Sequence, residues 1–175
     1  MHPGFLACLM ALMLPACAVV NETDFSRAEP YVAIALASEH IAAETDFVET
    51  NPGIGIGTEA PVGDRPFGVG AEVGIFRNSF DEASAYLVGF AEGKVNPLGA
   101  ERPIGLGVFY GYGRYPGEAE RARDRGFIVI GDFVPIAGLQ VTVPVYGPGD
   151  LRFRIVPGLL ESTSTVIAIQ ANIRF

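Results

Sequence analysis

The sequence has no tryptophan, only two cysteines and only two histidines. Charge is scarce as well, at 18% of 175 residues, and acids outnumber bases 20 to 12. Past the opening segment there is no long apolar run. Each shortage excludes something. A bundle of membrane helices needs several runs of about 20 apolar residues, so that class is out. A net charge of −8 argues against a nucleic-acid partner. Both cysteines, Cys8 and Cys17, lie near the start, so the chain beyond them has no thiol for a disulfide or a metal. His40 is the one histidine left there, too few for a histidine metal site. Neither a metal nor a cofactor is implied.

What remains is apolar and rich in turn formers: 49% hydrophobic, with 22 Gly, 13 Pro and 12 Phe, and a mean hydropathy of +0.32. Such a chain has ample surface to bury and is not disordered. Its length suits one domain.

The opening reads MHPGFLACLMALMLPACAVV. Its apolar stretch, Phe5 to Val20, resembles a signal-peptide core and is too short for a confident membrane span. Ala16-Cys17-Ala18 supplies a small-x-small cleavage site, which makes residues 1–18 a signal peptide. Leu14-Pro15-Ala16-Cys17 alternatively reads as a lipoprotein box, with a leader of 1–16 and an acylated Cys17. Both readings predict export. A short periplasmic segment, 19–30, then leads into a β-domain over 31–175.

That domain is a series of segments near ten residues long, separated by turn clusters such as Pro61-Val62-Gly63-Asp64, Asn96-Pro97-Leu98-Gly99 and Gly147-Pro148-Gly149-Asp150. Strands are predicted at Tyr31–His40, Gly53–Ala60, Phe67–Asn78, Glu82–Glu92, Arg102–Gly113, within Gly126–Tyr146, at Leu151–Pro157 and at Thr163–Phe175. No segment keeps a helical period. The stretch Gly126–Tyr146 is too long for one strand and carries Pro135 and Pro144, so it is either one interrupted strand or two.

Alternation tells which way these strands face. In the last one, Thr165, Ile167, Ile169, Ala171, Ile173 and Phe175 share one side. Gln170, Asn172 and Arg174 share the other. Leu151, Phe153 and Ile155 oppose Arg152 and Arg154, and Val69, Val73 and Ile75 oppose Gly68, Gly70, Glu72 and Gly74. In an outer-membrane barrel the aliphatic side meets lipid and the small or charged side fills the lumen. The terminal Phe175 resembles the end signature of such barrels. Eight strands of about ten residues fit the length with loops to spare, whereas twelve would starve them, and single-chain bacterial barrels have even counts. The expected fold is an all-β, antiparallel, eight-stranded transmembrane barrel.

With the termini on the periplasmic side, His40, Asn78 and Ser79 all arrive at the outer rim. His40 shares parity with Val32, Ile34 and Leu36, the lipid side, unless a bulge near Ser38 re-aims it. Glu59, Glu72, Arg152, Arg154 and Arg174 share the inward side, and buried charges there call for an internal salt-bridge network. Alternating glycines in three strands either empty the lumen for a hydrocarbon chain or accommodate large residues opposite. Pro135, Pro144 and Pro157 remove ladder donors, marking strand ends or a lateral gap for lipid. The charged run Glu118–Arg125 reads as a solvated outer loop.

Several motifs in order resemble the outer-membrane lipid A palmitoyltransferase (PagP) family. They are His40 after the first strand, Asn51-Pro52-Gly53-Ile54-Gly55-Ile56-Gly57, Phe76-Arg77-Asn78-Ser79-Phe80, Gly105-Leu106-Gly107-Val108 and Val156-Pro157-Gly158, across Tyr31 to Phe175. The resemblance implies an eight-stranded outer-membrane barrel that moves an acyl chain from a phospholipid to lipid A, with membrane lipids as partners. It implies His40, Asn78 and Ser79 as catalytic residues, where the family has His, Asp and Ser. Asn78 departs from that pattern, since an amide orients a partner but holds no negative charge. His40 would be the general base, acting on the accepting hydroxyl or on Ser79. The alternative is a non-catalytic barrel with a structural or surface-interaction role, and a third reading is a secreted lipocalin-like lipid binder.

Overall fold

The computed structural model describes residues 19, 21–41, 47–97, 102–158 and 165–175. The expected leader at 1–18 and most of the loop expected at 158–162 lie outside them. Eight antiparallel strands close on themselves in chain order: β1 (Glu29–Ile41), β2 (Thr50–Pro61), β3 (Phe67–Arg77), β4 (Ala83–Val95), β5 (Ile104–Arg114), β6 (Phe133–Pro144), β7 (Gly149–Val156) and β8 (Thr165–Arg174). β1 is bonded to both β2 and β8, so the sheet has no free edge. A single 3-10 turn (Phe25–Arg27) precedes β1, and a longer helix, α1 (Pro116–Asp124), joins β5 to β6. No helix among the described residues is long and apolar enough to cross a membrane.

The alternation read from sequence sets the two surfaces. Ile54, Ile56, Val73, Ile75, Leu87 and Val108 stand exposed on the outside of the wall. A barrel folded in water would hide these side chains; this one presents them as a continuous belt, as an outer-membrane barrel does. At the end where β1 begins and β8 finishes, Phe25, Tyr146 and Phe175 are largely exposed.

Inside, the expected ionic network fills the lower half. Arg152 is fully buried and donates to Glu72 Oε2 (3.1 Å) and Tyr31 Oη (2.9 Å), with its guanidinium carbon 4.6 Å from the Phe90 ring centroid. Arg154 reaches the other Glu72 oxygen at 2.8 Å. Nearer the termini, Lys94 bridges Glu59 and Glu92, each at 2.6 Å, and Arg174 bridges Glu59 (3.0 Å) and Asp150 (2.9 Å). Gln140 and Thr142 both donate to Glu92 Oε2. Burying charge is tolerable because each carboxylate is bonded on more than one side. The glycines serve this packing. A Cβ on Gly74 would lie 2.6 Å from Tyr86 Oη, and one on Gly57 or Gly70 would run into Tyr31 or Phe90. Their bare faces are filled by large residues opposite.

Two segments differ from expectation. The ambiguous stretch holds a single strand, β6; residues 126–132 form a connection in which Gly126 and Gly131 take left-handed backbone, φ 83° and 59°. The charged run expected to be a solvated loop folds instead into α1, which starts with Pro116 in its first turn and buries Glu118, Ala119 and Ala122. α1 lies against the loop end of the barrel.

Candidate functional site

The strand that carries His40 changes parity halfway along. Ala35 pairs with Gln170 of β8, but the next pair is Ala37 with Ile169, so Leu36 is an extra residue in β1. A bulge of this kind swaps the faces of everything beyond it. Before it, Tyr31 and Ala33 point inward and are fully buried. After it, Ser38 and His40 pair with Ala168 and Val166 and turn into the lumen. Sequence parity alone had placed His40 on the lipid side.

His40 and Ser79 line the same cavity, about 250 Å³, at the loop end. Its walls are small or apolar, with Ala35 and Ala168 on β1 and β8 and Val88 and Phe109 across from them. Phe47, Phe80, Phe127 and α1 cover it, and Arg154 and Gln170 form its floor. Tyr115 lines it too, and burial pushes its phenol up to about 12, so it stays a neutral hydroxyl.

Around the mouth, Ser38 Oγ is 2.5 Å from Asn51 Oδ1 and 3.3 Å from Ser79 Oγ. Asn51 is held by its own amide, which donates to the carbonyls of Val48 and Arg77. Ser38 and Asn51 are polar members of this cluster that sequence reading missed, although Ser38 sits two positions before His40. The His40 ring stacks on Phe47, centroids 4.2 Å apart, and its buried Nδ1 has no hydrogen-bond partner among the described residues.

Asn78 is placed differently. Its side chain is fully buried in the β3–β4 turn, where Oδ1 accepts from the Phe80 and Glu82 backbone N–H groups and Nδ2 donates to Ser84 Oγ at 2.9 Å. All of these contacts brace the turn. Asn78 does not line the cavity; Glu118 of α1 is the carboxylate that does, with Oε1 paired to Arg121 at 2.7 Å and Oε2 buried without a partner among the described residues.

The cavity also reaches a break in the wall. β6 pairs with β7 only from Leu139–Ile155 to Pro144–Asp150, so among the described residues 133–138 have no partner on the β7 side. β7 ends at Val156 and is followed by Pro157, which cannot donate to a ladder. Pro135, Val156 and Pro157 all line the cavity at this seam.

No known protein family matches the sequence, and no curated protein is significantly similar to it.

Proposed function

We propose that this chain is an exported outer-membrane barrel that transfers an acyl chain from a phospholipid to lipid A. The carrying observation is that His40 and Ser79 line one apolar cavity that opens on an unzipped β6–β7 seam. With the termini toward the periplasm, that seam lies in the outer leaflet, where one hydrocarbon chain of a donor lipid can slide sideways into the lumen. Its ester then sits at the mouth. His40 takes the proton from the accepting hydroxyl as that oxygen attacks the ester carbonyl, and Ser79 offers its O–H to the oxygen that becomes charged, while Ser38, whose own O–H goes to Asn51 Oδ1, lies beside it. Collapse breaks the ester bond, and the departing lysophospholipid oxygen takes the proton back from the imidazolium.

The test is mass spectrometry of lipid A from cells expressing the wild type or His40→Ala. The wild type should add one acyl chain and the variant none. Absence of the added chain from wild-type cells, with heat-modifiable protein in the outer-membrane fraction, overturns the reading. A non-catalytic barrel is the second reading, and the observation that favours it is Asn78, whose side chain is wholly engaged by its own turn.

A further inference from the structure

Arg154 stands where the apolar cavity meets the ionic plug. It is only 8% exposed, yet it forms part of the cavity floor beside Gln170. Its Nη1 is engaged by Glu72 Oε1 at 2.8 Å and Gln170 Oε1 at 3.3 Å. Its Nε and Nη2 are buried and, among the described residues, have no acceptor at all. Those two N–H groups lie along one edge of the guanidinium, the edge that grips a carboxylate through two parallel hydrogen bonds. A buried donor fork without an acceptor is costly, and the residue that carries it lines an apolar space.

The charge balance points the same way. Acids and bases in the plug are matched: Glu59, Glu72, Glu92 and Asp150 against Lys94, Arg152, Arg154 and Arg174. They are not evenly spread. Toward the termini, Lys94 and Arg174 face three carboxylates, Glu59, Glu92 and Asp150. Toward the cavity, Glu72 is the one carboxylate ion-paired with both Arg152 and Arg154, with Glu92 acting on Arg152 only from farther off. The cavity end of the plug therefore carries positive charge in excess. At the opposite end Glu118 presents a partnerless oxygen, which repels an anion held near the mouth.

We infer that this cavity binds a free long-chain fatty acid head-down, its carboxylate clamped by Arg154 Nε and Nη2 and its alkyl chain running up past Ala35, Phe109 and Ala168. A volume of about 250 Å³, just below the roughly 300–1,000 Å³ of most ligand pockets, leaves room for the carboxyl end of a single alkyl chain whose far end leaves through the mouth or the seam. The occupant lies in the opposite sense to the donor chain of acyl transfer. It uses neither His40 nor Ser79, so the two assignments stand or fall separately.

The probe is a fluorescent polyene fatty acid and its methyl ester, titrated into the full barrel reconstituted in phosphatidylcholine discs at alkaline pH. The acid should bind at least tenfold more tightly than the ester. Arg154→Met should bring the acid down to the affinity of the ester, whereas Arg154→Lys should keep part of the preference. Equal affinity of acid and ester for the wild type, no saturable binding of the acid, or a preference that survives Arg154→Met would each overturn the assignment. Heat-modifiable gel mobility reports folding; if Arg154→Met does not fold, the wild-type acid-to-ester ratio decides alone.

Discussion

Ser38 and Ser79, 41 positions apart in the chain, bring their hydroxyl oxygens to 3.3 Å at the mouth of the cavity. That meeting depends on Leu36, the extra residue in β1, because without it Ser38 would face outward. Deleting Leu36 should restore an unbroken β1–β8 ladder and turn His40 to the outside. A small fluorophore attached through His40→Cys should be quenched by bromine-bearing lipids in the deletion variant and spared in the parent. Quenching in both would mean that the bulge does not control this face.

Glu72 is the acid that two buried arginines share. Glu72→Gln removes the counter-charge but keeps the shape, so Arg152 and Arg154 face each other unneutralised. Breaking a buried pair from one side costs about 3–5 kcal/mol. Denaturant titration of the barrel in detergent should show a loss of that order.

Ile56 stands in the middle of β2 and is 63% exposed. If hydrocarbon surrounds it, Ile56→Arg should cost about 2–4 kcal/mol in a bilayer. Folding into vesicles, followed through the gel shift in urea, measures this directly. A neutral result would take the belt out of the membrane.

Asn78 holds its turn together. Asn78→Ala leaves the Phe80 and Glu82 N–H groups without their acceptor, at about 1–3 kcal/mol, and should expose the β3–β4 turn to protease. Asn78→Asp keeps both acceptor contacts and should be cut more slowly. The comparison reads the turn alone, independent of any chemistry at His40.

The barrel was legible because the two faces of most strands differ so sharply. In β7, Arg152 and Arg154 alternate with Leu151, Phe153 and Ile155, and no register but one hides the arginines. Legibility failed at β6 for a related reason. Val134 and Ile136 face the apolar cavity and not the plug, so apolar residues fall on both sides and the alternation disappears. The α1 segment hid behind its charges: its buried stripe is two alanines and Glu118, too weak an apolar signal to mark a helix. A bulge near Ser38 was one way to re-aim His40, and it falls at Leu36; its exact place left no mark, since no glycine or proline accompanies it in Ala35-Leu36-Ala37. Arg154 was placed correctly on the inner side, but nothing in sequence distinguishes a saturated guanidinium from one with an open edge.

The paired ions of the lower lumen also separate the two open ends of the barrel: among the described residues no continuous passage joins them. Arg152, Glu72, Glu92, Gln140 and Asn172 are all closed off from solvent, and the spaces above and below them share no residue in their linings. A hydrated cation entering from one mouth would have to part a guanidinium from its carboxylate before it could leave by the other. Placed in a bilayer and held across a potential, such a cylinder should carry no current, which planar-bilayer recording would check. The side of the wall would then be the one way in for a guest.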